Sequence, residues 1–232
     1  MVFVTRLIQP GGKSYNPVFA ENEWADIIEA CHSGEVPDTW VADGTCYKDM
    51  LINGTNYRID IIGKNHDDLA DGTGKAPLTF QMHHCYAETK QMNSSNTNVG
   101  GWTNCAMRST HLPAILNLMP AEVQAGIREV QKKTSAGSES SITRATNDKL
   151  FLLSEIEIFG STTYSFAGEG TQYAYYQAGN SKVKNLSGGA KYWWERSPRS
   201  SNSTYFCTVL SDGNEDAVNA SISRGVAFAF CF

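Results

Sequence analysis

The sequence predicts an α+β domain in which a few helices and small antiparallel sheets share one core, and three stretches carry that prediction. Trp24, Ile27, Ile28 and Cys31 fall at the i, i+3, i+4, i+7 spacing of a buried helical stripe. Asn53-Gly54 stands between the strand-like runs Leu51-Ile52 and Tyr57–Ile62, the strongest short signal for a hairpin. The chain ends on Gly225-Val226-Ala227-Phe228-Ala229-Phe230-Cys231-Phe232, apolar at consecutive positions. A strand with both faces apolar is covered on both sides, so this last one is expected in the middle of the core.

At 232 residues the chain can bury a substantial core, either as one large domain or as one domain with a smaller extension. With 41% hydrophobic and 19% charged residues it is expected to fold rather than stay disordered. A net charge of −5 leaves no basic stripe for a phosphate backbone, which argues against a nucleic-acid partner. The start of the sequence lacks a basic stretch followed by an apolar core. No later run approaches the ~18 apolar residues of a membrane span, so neither secretion nor membrane insertion is expected. The cysteines Cys31, Cys46, Cys85, Cys105, Cys207 and Cys231 are scattered without close pairs. Free, buried thiols are therefore expected. Sequons such as Asn53-Gly54-Thr55 and Asn202-Ser203-Thr204 carry little weight without secretion.

Each element follows in order. Pro10-Gly11-Gly12 and Pro17 make residues 1–20 an extended arm, and the helix that begins near Asn22 should stop at Ser33-Gly34. After the hairpin and the polar loop Lys64–Lys75, Leu78–Met82 reads as another strand. Asn93–Gly101, rich in Asn, Ser and Gly, reads as a second long loop. Met107, Leu112, Ile115 and Leu116 mark one helix; Pro120 opens another with Val123, Ile127 and Val130 inward. Ser135–Asn147 is expected to be a polar loop and Leu150–Ser154 a short buried strand. Residues 1–45 are expected to form an arm and helix that dock onto a partner, and residues 46–232 the main domain.

A series of motifs then resembles a known group. Asn65-His66-Asp67, Met92-Asn93, Gly100-Gly101-Trp102, Met107-Arg108, Leu118-Met119-Pro120, Asp148–Ser154, Trp193-Trp194-Glu195-Arg196-Ser197-Pro198 and Gly225–Phe230 resemble an uncharacterised domain family. That family occurs in phage virion proteins and in surface proteins of gut Firmicutes, and it is similar to the C-type lectin-like and formylglycine-generating-enzyme-like superfamily. The resemblance runs from about Cys46 to Phe232. It implies a C-type lectin-like fold: two main helices flanking small twisted antiparallel sheets with long loops, a central last strand, and a ligand-facing polar segment just before it.

The residues themselves point to the same segment. Arg199, Asn202, Tyr205, Asp212, Asn214, Asp216 and Asn219 combine tyrosine contact area with amide donors and acceptors. Of the adjacent Trp193 and Trp194, alternation along a strand puts one inside and the other, taken as Trp194, near the surface where it stacks on a sugar. The oxygens of Asp212, Asn214, Glu215 and Asp216, like the His66-Asp67-Asp68 and Asp71 cluster, lack a calcium-loop spacing. His83-His84-Cys85 lacks the spacing of zinc ligands, and Gly72-Thr73-Gly74-Lys75 that of a phosphate loop. No metal or cofactor is expected. A cysteine-dependent oxidase would need Cys207 and Cys231 together and accessible, whereas both lie in apolar runs. The expectation is a non-enzymatic, homo-oligomeric phage virion protein of the tail, fibre or head, made in the host cytoplasm without a signal peptide. It would display a receptor-binding surface to a host glycan or protein and contact other virion proteins. The alternatives are an architectural protein that cements neighbouring subunits, and, further off, a formylglycine-generating-type oxidase.

Overall fold

A computed structural model of the protein describes residues 13–232. Residues 1–12 of the expected arm lie outside the described residues. Helix α1 (Trp24–Ser33) stops at Gly34, whose φ of 75° closes the last turn in the left-handed conformation. Asn53 and Gly54 take φ of 48° and 78°, the twist a tight hairpin needs, and join β1 (Tyr47–Ile52) to β2 (Thr55–Lys64). Strand β3 is Leu78–Met82. Short helices α2 (Gly101–Asn104), α3 (Leu112–Leu116) and α4 (Ala121–Gly126) follow, with a π turn at Met107–His111 leading into α3. Then come β4 (Val130–Gly137), β5 (Ser140–Asp148), α5 (Glu155–Phe159) and α6 (Ala174–Gln177). The chain finishes with β6 (Lys184–Leu186), β7 (Gly189–Lys191), β8 (Trp193–Pro198), β9 (Tyr205–Val209), β10 (Glu215–Asn219) and β11 (Ala229–Cys231). The architecture is mixed, with several small antiparallel sheets and few helices: β1-β2-β3-β11, β10-β9-β8, and the pairs β4-β5 and β6-β7.

The terminal ribbon runs through the interior. Strand β11 pairs with β3, Phe230 opposite Phe80. Its other edge is not open: Phe151 exchanges backbone bonds of 3.0 and 2.7 Å with Ala229, and Arg128 donates its amide to Cys231 O at 3.0 Å. Every residue from Val226 to Phe232 is 0% exposed. Phe80 gathers Phe230 and Phe232 at 5.2 Å, Trp24 at 5.9 Å and Phe19 at 6.1 Å. Such aromatic pairs add about 0.5–1.5 kcal/mol each beyond area burial. Phe19 and Tyr15 in turn pack on Trp40. The core therefore runs without a break across position 45, and residues 13–45 belong to it.

Several expectations need correction. Ser135–Asn147 is no loop but most of the β4-β5 hairpin, turned by positive φ at Gly137, Ser138 and Glu139. Its inward face is polar, with Lys132, Thr134, Ser135, Thr146 and Asp148 all buried, so the apolar alternation that marks a strand is absent. The helix opened by Pro120 ends at Gly126, and Val130 is inward as the first residue of β4. Gly126 is where α4 meets α1, since the Ile28 side chain leaves no room there for a Cβ. Leu150–Ser154 is buried and extended but makes only an isolated bridge, Phe151 to Ala229, because α5 begins at once. Ser154 caps that helix in a reciprocal box with Glu157. Ser154→Ala is expected to lower unfolding stability by about 1 kcal/mol. Equal urea midpoints for the variant and wild type would show that the cap does not matter.

Candidate functional site

Beneath the candidate surface lies a buried ionic network that fixes β8. Arg196, wholly buried, uses all five N–H donors. Its Nη1 and Nη2 fork onto the two oxygens of Glu157, Nη1 also reaches Leu152 O at 3.0 Å, Nη2 reaches Glu169 O at 2.5 Å, and Nε bonds Thr134 Oγ1 at 2.9 Å. Lys132 Nζ bridges Asp67 Oδ1 at 2.6 Å and Glu157 Oε1 at 2.7 Å. Asp67 also accepts from Thr79 Oγ1 at 2.5 Å and Tyr173 OH at 2.9 Å. Burial opposes every one of these charges, yet the partners win: Lys132 holds Asp67 well below the usual carboxylate range, Arg196 and Lys132 lower Glu157, and the carboxylates raise Lys132 and Arg196. The four groups are locked in their charged states, which suits support rather than proton transfer.

A cleft of about 280 Å³ opens over this network, rimmed by His66, Lys75, Lys133, Glu169 and Thr171. Glu169 differs from its neighbours. Burial pushes its carboxyl up to about 7 against a hydrogen bond from Ser197 Oγ and a 2.7 Å bond from the Ser135 amide. Glu195, one residue before Arg196, is fully buried and neither of its oxygens has a hydrogen-bond partner. Burial and then the nearby Glu155, Glu169 and Glu215 raise it well above the ordinary value, so it stays a neutral acid. The Cys207 and Cys231 thiols are likewise buried and pushed well up by burial, which leaves little thiolate at neutral pH.

The network delivers the chain from Pro198 to a polar platform built from three loops, 93–99, 199–205 and 219–222. Their hub is Asn98, fully buried. Its Nδ2 donates to Asn202 O and Tyr205 O, both at 2.7 Å, its Oδ1 accepts from the Ser138 amide at 2.7 Å, and its own amide donates to Ser203 O at 2.8 Å. Asn202 Oδ1 holds the Thr204 amide at 2.7 Å. Ala220 N bonds Thr204 O at 2.9 Å, and Ser221 Oγ donates to Asn96 Oδ1, so the third loop is tied to both others. Arg199 packs against two tyrosines, its Cζ 5.0 Å from the Tyr164 ring centre and 5.7 Å from that of Tyr205. Asn98 and Tyr164 were not singled out from sequence. The Asn-rich composition of 93–101 held the only signal, and it marked a loop without saying where the loop packs.

The predicted residues divide into groups. Arg199, Asn202, Tyr205 and Asn219 come together, Tyr205 standing opposite Asn219 across β9-β10. Asp212 and Asn214 sit at the other end of that hairpin, about five residues or ~17 Å along the strand. There Asp212 caps its own turn, accepting from Asn214 N at 3.1 Å and Asn214 Nδ2 at 3.0 Å. Asp216 pairs with Thr208, an odd number of positions along the strand from Asn219, and so points to the opposite face. Trp194 is corrected outright. Both tryptophans are 0% exposed, with Trp193 Nε1 bonded to Lys182 O at 3.0 Å and Trp194 Nε1 to Lys90 O at 2.8 Å. Alternation predicts one wet face only when a sheet has one, and β8 is covered on both.

The other clusters disperse. Asp68 pairs with Lys75 at 2.7 Å and Asp71 with Arg128 at 2.6 Å. His83 Nδ1 lies 2.6 Å from Asp60 Oδ2, while the His84 ring takes the Asn185 amide at 3.2 Å. Among the described residues no three His, Cys, Asp or Glu side chains are grouped to hold a metal ion, and no helix is long and apolar enough to cross a membrane.

Fold and site together define a mixed α/β domain of small antiparallel sheets, with a buried ionic network inside and a polar outer platform that carries Arg199. The chain belongs to the family described as Domain of unknown function (DUF6273), whose model matches residues 76–232 and so takes in the platform and most of the network, while Asp67 of the network and His66 and Lys75 of the cleft rim precede the matched span. No curated protein and no solved structure matches the chain.

Proposed function

We propose that the protein is a recognition domain displayed on a phage virion, and that the Asn98-centred platform is its contact surface for a host glycan or protein. One observation carries the proposal: a single buried asparagine ties two of the polar loops together while the third is bonded to both. A hydrogen-bonding surface preorganised in this way loses little entropy on binding. The placement on a virion rests on the sequence resemblance. Display in several copies would multiply weak single-site binding. Tyr205→Ala is expected to weaken attachment to host cells by roughly tenfold or more, since a tyrosine anchor contributes on the order of 1–2 kcal/mol. Asn214→Ala, at the far end of the hairpin, should bind within about twofold of wild type, as an energetically near-neutral position does. If both variants attach as wild type does, the platform is not the recognition surface.

A further inference from the structure

We propose that Arg199 is an oxyanion fork that makes the platform selective for an acidic glycan, one carrying carboxylate or phosphate. The inference rests on the recognition role proposed above and narrows it. Arg58, Arg108, Arg128 and Arg196 each pair with an aspartate or glutamate. Arg199, like Arg144 and Arg224, has no carboxylate within ion-pair reach among the described residues, and its one side-chain bond is from Nε to Ser201 Oγ at 3.3 Å. Both Nη groups, the pair that meets a carboxylate or phosphate in a bidentate fork, are left without a protein acceptor.

The guanidinium is nevertheless held in place. Its backbone amide donates to Tyr205 O at 3.0 Å, and its Cζ stands 5.0 Å from the Tyr164 ring centre and 5.7 Å from that of Tyr205. An arginine stacked on aromatic rings is positioned before the ligand arrives, which a flexible lysine is not. It is also the only charged residue in segments 93–99, 199–205 and 219–222. An anion docking there therefore meets one cation among the uncharged side chains of these three segments, and the surrounding Ser, Thr, Asn and phenol groups offer both donors and acceptors to sugar hydroxyls.

Binding of the full chain to polyglucuronate, poly(glycerol phosphate) and neutral dextran tests this. Wild type is expected to bind at least one acidic polymer about tenfold or more tighter than dextran, the scale of a charge-assisted bidentate contact. The acidic arm that binds identifies the anion. Arg199→Lys keeps the charge but loses the fork, and most of that preference should go while dextran binding stays unchanged. Free glucuronate should displace the acidic polymer from wild type where glucose does not, a readout that needs no variant. Dextran bound as tightly as both acidic polymers, or an acid preference intact in Arg199→Lys, overturns the fork and leaves the recognition role standing. Loss of the recognition role itself is read separately, from equal host attachment by Tyr205→Ala and wild type.

Discussion

Arg196→Met is expected to lower the unfolding free energy by about 3–5 kcal/mol, because it strips the partner from a buried carboxylate. The methionine fills much of the arginine's volume, so the loss is mainly electrostatic. Glu157 would keep only Lys132 and its place in the Ser154 capping box, Leu152 O and Thr134 Oγ1 would lose their donor, and Glu169 O would keep only Ser154 Oγ. Two buried acceptors without partners, Leu152 O and Thr134 Oγ1, add to the cost of one unpaired charge. Arg196→Lys, which retains charge but not the planar fork, should fall between the variant and wild type. Urea unfolding at pH 7 with the m-value monitored measures this. A loss below about 1 kcal/mol for Arg196→Met would mean that the network is replaceable by ordinary packing, as some buried ion pairs are.

Stability is also expected to fall from acid toward neutral pH through two carboxyls that the fold keeps protonated. Glu169 has its folded value raised from 4.5 to about 7. Its contribution is therefore fully present below about 4.5 and is lost as pH rises through about 7, a change on the order of 3 kcal/mol. Glu195 acts in the same direction, since its folded value is also raised. Asp67 and Glu157 have lowered values, so their stabilisation is kept across this window and is lost only in stronger acid. His84 and His111, pushed down by burial, oppose the trend because their folded forms resist protonation. The clean measurement is thus a difference: unfolding free energy against pH for wild type, Glu169→Gln and Glu195→Gln. Each glutamine, unable to ionise, should flatten the decline between about pH 4.5 and 7. Variant and wild-type curves that run parallel through that window would show that neither carboxyl carries the change.

Where elements follow from local chemistry, the sequence was enough. The stripe from Trp24 to Cys31, the stop at Gly34, the Asn53-Gly54 turn and the both-face apolar end each arise from residues within a few positions of one another, and each stands where those residues put it. Its composition also singled out Arg199, Asn202, Tyr205 and Asn219, which the fold brings together. What the tertiary structure decided depends on partners far apart in the chain. A polar-lined strand such as β4 becomes interior only because Asp67, Glu157 and Arg196 arrive to neutralise and bond its face. Trp194 is dry because β8 is enclosed on both sides, and Asp212 and Asn214 leave the platform because a five-residue strand holds them at its far end. Asn98 becomes the hub only when residues more than a hundred positions later reach it. Local preference is written in neighbouring side chains, whereas burial of polar groups is paid for by long-range contacts that no local pattern encodes.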